Sequence, residues 1–239
     1  MSSATPTDDA SNNAASVSVV LPIGEDDNGL GEVLQAYLHE LEKLVAPWEM
    51  LLVPESAHPP RGHYEQLEAV GVRVCPPAAG WGAAVSAGLR ASSGEILCYT
   101  NWRRTSGAAL IEMLLLAGRN PALVVRANRR TRDTRVRRLG SLLFNLECRL
   151  VLQIPAWDVN GTPKAFPRTF TKLLGLSEQG DLLDAEFALV CERESYPVVE
   201  LPIDATLLSG CSERLDFGAA MRMYYGVVRL RTMRRRWSV

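Results

Sequence analysis

Nowhere in its 239 residues does the chain hold the roughly 18 uninterrupted apolar residues that a membrane-spanning helix needs. Its N-terminus also lacks the basic-then-apolar layout of a secretory leader. Both absences lead us to expect a cytoplasmic protein, or one peripheral to the inner face of a membrane. Five cysteines, Cys75, Cys98, Cys148, Cys191 and Cys211, form no Cys-x-x-Cys pair and leave one over, which argues against a disulfide framework and for reduced core thiols. The three histidines, His39, His58 and His63, have no cysteine or histidine partners at finger-like spacing, so no metal is expected on them. Basic residues are scarce at first: residues 1–70 carry twelve acidic side chains against Lys43 and Arg61. That acidic third, and the lack of any recognition motif, argue against nucleic-acid binding despite later arginine clusters.

What is present is ordinary for a soluble globular protein: 47% hydrophobic and 22% charged residues. The length suits one sizeable core with a tail. Residues 1–16, rich in Ser, Ala, Asn, Thr and Asp, read as a disordered leader. Apolar runs at 17–22, 48–53, 72–74, 94–100 and 122–125 read as strands, and helical periodicity appears at 30–44, 61–70, 81–89 and 106–118. This alternation predicts an α/β fold with a single doubly wound, mostly parallel sheet. The stretch Gly94 to Arg104 organises the rest: a buried strand ends abruptly in Asn101-Trp102-Arg103-Arg104, and ligands gather at the carboxyl ends of such strands. Gly80-Trp81-Gly82 opens a helix, where backbone can approach a ligand and offer N–H groups to phosphate.

After residue 125 the pattern changes. Arg126 to Arg138 holds seven arginines and one acid, Asp133, a density that suits either a solvated basic helix start or phosphate and anionic lipid. Residues 157–168 read as a loop dense in turn formers, 181–196 as a helix with Asp184 and Glu186 at its start, and 198–203 as a late strand. We divide the chain into the leader 1–16, a domain 17–213 with a nucleotide-binding part 17–125 and an acceptor part 126–213, and a basic amphipathic tail 214–239.

In their order these motifs resemble family 2 of the glycosyltransferases, and within it the branch of dolichol- and polyprenyl-phosphate sugar transferases. The resemblance spans residues 17–213. Val19-Val20-Leu21-Pro22 with Asp26 and Asp27 is similar to the opening strand and acidic loop that holds the nucleotide, and Gly80-Trp81-Gly82 to the glycine loop. Arg129, Arg132, Arg137, Ser141 and Asn145 fit the arginine-rich segment and its helix. Asp158, Asn160, Gly161, Lys164 and Phe166 fit the acceptor-side loop, and Glu186, residues 200–203 and residues 209–212 the closing motifs. The resemblance implies a GT-A-like fold and transfer of a sugar from a nucleotide-diphosphate sugar to an acceptor such as a lipid-linked phosphate.

Two departures touch the chemistry. Where the family has Asp-x-Asp for a divalent cation, Mg²⁺ or Mn²⁺, this chain has Asn101-Trp102-Arg103, and where paired aspartates end the second strand it has Pro54-Glu55. An amide oxygen is a poor ligand for a hard cation and a guanidinium is none. Two readings stay open: Arg103 replaces the metal beside the diphosphate, or the chain is a catalytically inactive nucleotide- or sugar-binding or regulatory partner. On the first, Asp26 and Glu55 hold base and ribose, with Pro22, Gly80, Trp81, Gly82, Asn101 and Arg103 around the donor. Arg129, Arg132, Arg137 and Asn160 then serve phosphate and acceptor, Asp158 the acceptor proton, and Lys164 a substrate phosphate. Each also has a bland reading as cap, turn former, packing or surface charge. The tail, with six arginines and no acid over 217–239, suits an anionic membrane surface or a sister subunit in a homodimer.

Overall fold

The computed structural model of the protein describes residues 14–56, 71–130, 135–204 and 224–232, and the side chains of all of these but 135–138. The first half runs β1 (Val17–Ile23), α1 (Leu30–Leu41), β2 (Trp48–Pro54), β3 (Val72–Val74), α2 (Trp81–Ala91), β4 (Ile96–Tyr99) and α3 (Gly107–Arg119). The second runs β5 (Val124–Arg129), α4 (Arg135–Glu147) with a wider turn at Cys148–Leu152, β6 (Lys164–Pro167), α5 (Leu183–Arg193) and β7 (Val198–Ile203), followed by a helix at 224–232.

Every residue of β1 is buried, as a strand covered on both faces must be, and that is why it reads as an unbroken apolar run. Its alternate residues serve different layers. Val17, Val19 and Leu21 join α1 and α3 in one cluster, whereas Val20 joins α2 and α5 in another. The α2 layer lies very close: a Cβ at Gly88 would stand 2.3 Å from Val20 Cγ1, so only glycine lets helix and strand meet there. The seven strands form one sheet in the order β3-β2-β1-β4-β6-β5-β7. The pairs β1–β2, β1–β4, β2–β3 and β5–β7 are parallel, and β6 alone is antiparallel to its neighbours β4 and β5. The α/β, doubly wound, mostly parallel sheet is therefore as expected.

A third cluster sits beyond the sheet. The far side of α5, with Ala185, Ala188 and Leu189, packs on Phe144, Cys148 and Leu152 and on Val227 and Leu230 of the last helix. Lying between two clusters, α5 is buried along the whole of 183–191.

Two expectations are corrected. Residues 157–168 are not all loop, because Lys164–Pro167 is a strand in the middle of the sheet, with Tyr99 opposite Lys164. Four residues bounded by Pro163 and Pro167, with a lysine among them, carry no strand signature in isolation. Ser16, assigned to the leader, is tied to the sheet: its carbonyl accepts from Glu95 N at 2.8 Å and its own N–H donates to the Glu95 carboxylate at 3.0 Å. The leader up to residue 13, the helix at 61–70, the motif at 209–212 and most of the tail lie outside the described residues.

Candidate active site

The chain moves outward from β1 to β2 and β3, then crosses back to lay β4 on the other side of β1. The carboxyl ends of β1, β2 and β4 therefore bound one crevice, the usual ligand position in an open α/β sheet. The acidic turn after β1, Glu25 to Asn28, lines an open depression of about 220 Å³ there. Asp26 shapes that turn by accepting from Asn28 Nδ2 at 2.7 Å.

Arg103 reaches into this crevice from β4. Its turn is built from below: Thr100 and Thr105 share a 2.7 Å hydroxyl hydrogen bond, and Tyr37 donates to the Thr105 carbonyl at 2.8 Å. Asn101 Oδ1 accepts from Arg103 N at 3.1 Å, an Asx turn that sets the arginine's direction. The guanidinium lies 4.6 Å over the ring of Trp102, which is itself in the core. Its tip donates to the Asp26 carbonyl and pairs with the Asp26 carboxylate at 3.3 Å. Asp26 is 41% exposed, so this pair holds little stability. It bridges two loops across the place where a ligand would enter.

Glu55 closes the floor. Its N–H donates to the Ile23 carbonyl at 2.8 Å and its carbonyl accepts from Gly80 N at 3.0 Å. Burial, reinforced by the charge of Asp181 and opposed by Arg103, pushes its carboxyl up to about 7. Asp181 bears no sequence signal of this role.

The glycine loop meets the chain's own backbone. A Cβ at Gly82 would lie 2.6 Å from the Glu178 carbonyl oxygen, and Ala83 N donates to the Gln179 carbonyl at 2.9 Å. Ala83's N–H is thus taken by the chain itself, and the close approach at Gly82 is that of 178–180. Trp81 packs edge-on to Tyr99, its centroid 6.5 Å away, at the margin of the core. The 178–180 strip is held by Glu186, whose carboxylate accepts from Ser177 Oγ at 2.7 Å and Glu178 N at 2.8 Å. Glu178 in turn pairs with Arg229 of the last helix at 2.6 Å.

On the far side of β4, Asp158 is 1% exposed and grips Arg129 in a fork, with Nε to Oδ2 at 2.6 Å and Nη2 to Oδ1 at 2.7 Å. The turn is compact: Val159 N donates to Asn145 Oδ1 at 3.0 Å, and Asn101 N donates to Thr162 Oγ1 at 3.4 Å, joining this loop to the tip of β4. With both oxygens engaged, Asp158 can accept a proton from a substrate only if Arg129 shifts. Asn160 Oδ1 is buried without a hydrogen-bond partner.

Lys164 departs most from its expected role. It is 0% exposed, its ammonium donates to Asp184, and it lies 5.4 Å from the centroid of Tyr99, whose hydroxyl donates to the same carboxylate at 2.8 Å. Burial pulls its pKa below the usual lysine value, and Asp184 opposes that. It fastens the sheet to α5 and does not face the crevice, so it is not placed to bind a substrate phosphate. Arg132 and the side chain of Arg137 lie outside what is described.

No protein-family model and no curated protein sequence matches the chain. Solved structures do. Glucosyl-3-phosphoglycerate synthase from Mycobacterium tuberculosis, in complex with UDP, superposes with a TM-score of 0.66 at 17% identity, covering 92% of this chain and 80% of that one. Mannosyl-3-phosphoglycerate synthase from Rubrobacter xylanophilus gives 0.66 at 21% identity, covering 94% and 76%. This is the GT-A fold. A further structure of the mycobacterial synthase, with Mn²⁺, UDP-glucose and phosphoglyceric acid, gives 0.65 at 16% identity over 90% of this chain and 77% of that one.

The residues here do not fit such a cation. The tip of β4 offers an amide and a guanidinium, and among the described residues no three His, Cys, Asp or Glu side chains converge.

Proposed function

We propose that the protein is a glycosyltransferase that moves a sugar from a nucleotide-diphosphate sugar to a phosphate-bearing acceptor, without a metal ion. The observation that carries this reading is Arg103: a fixed cation, stacked on Trp102 and aimed by Asn101, at the mouth of the crevice of a GT-A fold. Direct displacement fits it. The acceptor oxygen forms its bond to the anomeric carbon as the bond to the diphosphate breaks, and the electron pair leaves with the nucleoside diphosphate. Arg103 exchanges Asp26 for the diphosphate and stabilises the charge that develops there. Asp26, so released, and Glu55 face the base and ribose. On the acceptor side Arg129, aimed by Asp158, meets the acceptor's phosphate. An ionised phosphate needs orientation more than a base, which suits an Asp158 that holds an arginine. A lipid-linked phosphate is the acceptor we favour.

A second reading, a silent nucleotide- or sugar-binding partner, is favoured by Asn101 where a metal-binding acid would stand. Calorimetric titration with UDP-, GDP- and dTDP-sugars, each with Mn²⁺ and again with EDTA, tests both. Binding that survives EDTA and falls about a hundredfold in Arg103→Ala supports arginine in place of metal. Turnover in the presence of a polyprenyl phosphate then separates enzyme from silent binder. Binding that requires Mn²⁺ would overturn the metal-free assignment, and no binding at all would overturn the donor site.

A further inference from the structure

The helix α4 turns its apolar side the wrong way for a core element. Leu139, Leu142, Leu143, Leu146 and Leu150 recur at helical spacing along α4 and the turn after it, and each is between 50% and 69% exposed. The opposite side, with Phe144, Cys148 and Leu152, already fills the third core cluster. Among the described residues the leucine face stays uncovered, and an apolar stripe of this kind marks an interaction site. Its surroundings say with what. The same segment carries Arg135, Arg137, Arg138 and Arg149 against one acid, Glu147. Arg149 stacks 4.3 Å over the ring of Trp157, which stands 68% exposed at the edge of the face. The helix 224–232, bound to α4 through Tyr224 donating to the Gly140 carbonyl at 3.2 Å, extends the surface with exposed Tyr225 and Val228.

We propose that this face docks on an anionic phospholipid bilayer, its leucines entering the acyl boundary, its net positive segment drawn to the anionic headgroups and Trp157 lying at the interface. Exposed leucines and a tryptophan on a segment of net positive charge complement a surface that is apolar within and anionic at its rim. A second copy of the same segment, with four arginines to one acid in its sequence over 135–152, would bring net positive charge against net positive charge, which disfavours self-association. The position is also apt, since α4 begins shortly after Arg130 and its following turn leads to Asp158, so docking brings the arginine side of the crevice to the membrane. The docking claim stands apart from sugar transfer and needs no donor or acceptor to be tested.

The experiment is flotation of the full chain with vesicles of phosphatidylcholine alone and of phosphatidylcholine mixed with phosphatidylglycerol. Binding to the mixed vesicles, weakened by salt, is expected. Leu142→Ser combined with Leu146→Ser lowers the partition coefficient about tenfold per leucine, because each removes a side chain from the acyl boundary. Both side chains are exposed, so the pair should melt with the wild type. Trp157→Ala, on another element, supplies an independent loss. Failure to float with the mixed vesicles, or flotation unchanged in both variants, would overturn the proposal. A wild-type dimer that dissociates in the leucine variant while vesicle binding persists would assign the face to a second copy instead.

Discussion

The two sides of β4 treat charge differently. Toward β1 and β2 the acid is the open partner: Arg103, itself 13% exposed, leans on an Asp26 whose side chain is 41% exposed, and Glu55 feels the charge of Asp181. Toward β6 and β5 the acids are more deeply buried, each paired with a cation: Asp158 with Arg129, Lys164 with Asp184, and Arg126 with Glu200 at 2.5 Å. Exposed pairs exchange partners at small cost, whereas sealed ones cannot be opened without stranding a charge. The first side is built to trade its contacts for a ligand's. The second is built to hold shape, and it presents to the ligand only what those pairs leave facing outward.

The sharpest break of this contrast is Lys164→Met. It leaves Asp184 buried with only the Tyr99 hydroxyl, and should cost about 3–5 kcal/mol in urea unfolding. If Lys164 instead served a substrate phosphate, stability would hold and only substrate affinity would fall. Arg103→Ala should do the reverse, with stability within about 1 kcal/mol of wild type and donor affinity lowered about a hundredfold. A large loss of stability in Arg103→Ala would place Arg103 with the sealed pairs and erase the distinction.

The same contrast explains what could be read from the chain alone. β1 and β2 are legible because burial on both faces leaves uninterrupted apolar runs, and α1 because Leu30, Val33, Leu34, Tyr37 and Leu41 mark one buried face. The turn after β4 was legible too, since its apolar run breaks off in polar and cationic residues. The sealed side was not. Asp158 and Lys164 look like parts of one motif, yet Asp158 turns to Arg129, 29 positions away, and Lys164 to Asp184, 20 positions away. Pairings at such separations leave no local periodicity. The strand that carries Lys164, β6, hides its identity behind that lysine and the prolines at 163 and 167.

Glu55 gives a pH-dependent test of the open side. Its folded pKa, about 7, lies above the ordinary 4.5, so between these values the folded state binds more protons than the unfolded one. Stability should therefore fall as pH rises from about 4.5 to about 7 and level off above, with a loss on the order of 1 kcal/mol after solvent relaxation. Glu55→Gln should remove this group's contribution to the slope and be the more stable protein at pH 8. Asp181→Asn should shift the fall to lower pH, because the neighbour that reinforces the shift is gone. An unaltered stability profile in Glu55→Gln would mean that the carboxyl is solvated in the crevice.

The smallest effect comes from the joint between the two sides. Residues 178–180 belong to the sealed side through Glu186, yet they press on Gly82 and accept the N–H of Ala83 on the open one. Arg229 holds the outer end of this strip through Nη2, which donates to both Glu178 carboxylate oxygens at 2.6 and 2.7 Å, from a helix whose Gly226 admits Leu182 where any Cβ would stand 2.0 Å from Leu182 Cδ1. Arg229 is more than half exposed, so Arg229→Ala should cost little stability, on the order of 1 kcal/mol, mostly from leaving Glu178 unpaired. Hydrogen exchange should nevertheless quicken at Ala83 as its acceptor loosens, and donor affinity should fall a few-fold with turnover unchanged. Reversing the pair, Arg229→Glu with Glu178→Arg, should restore slow exchange at Ala83 if the ion pair is what sets the strip. Exchange at Ala83 that ignores both variants would show that Glu186 alone positions 178–180, and the last helix would then have no hold on the open side.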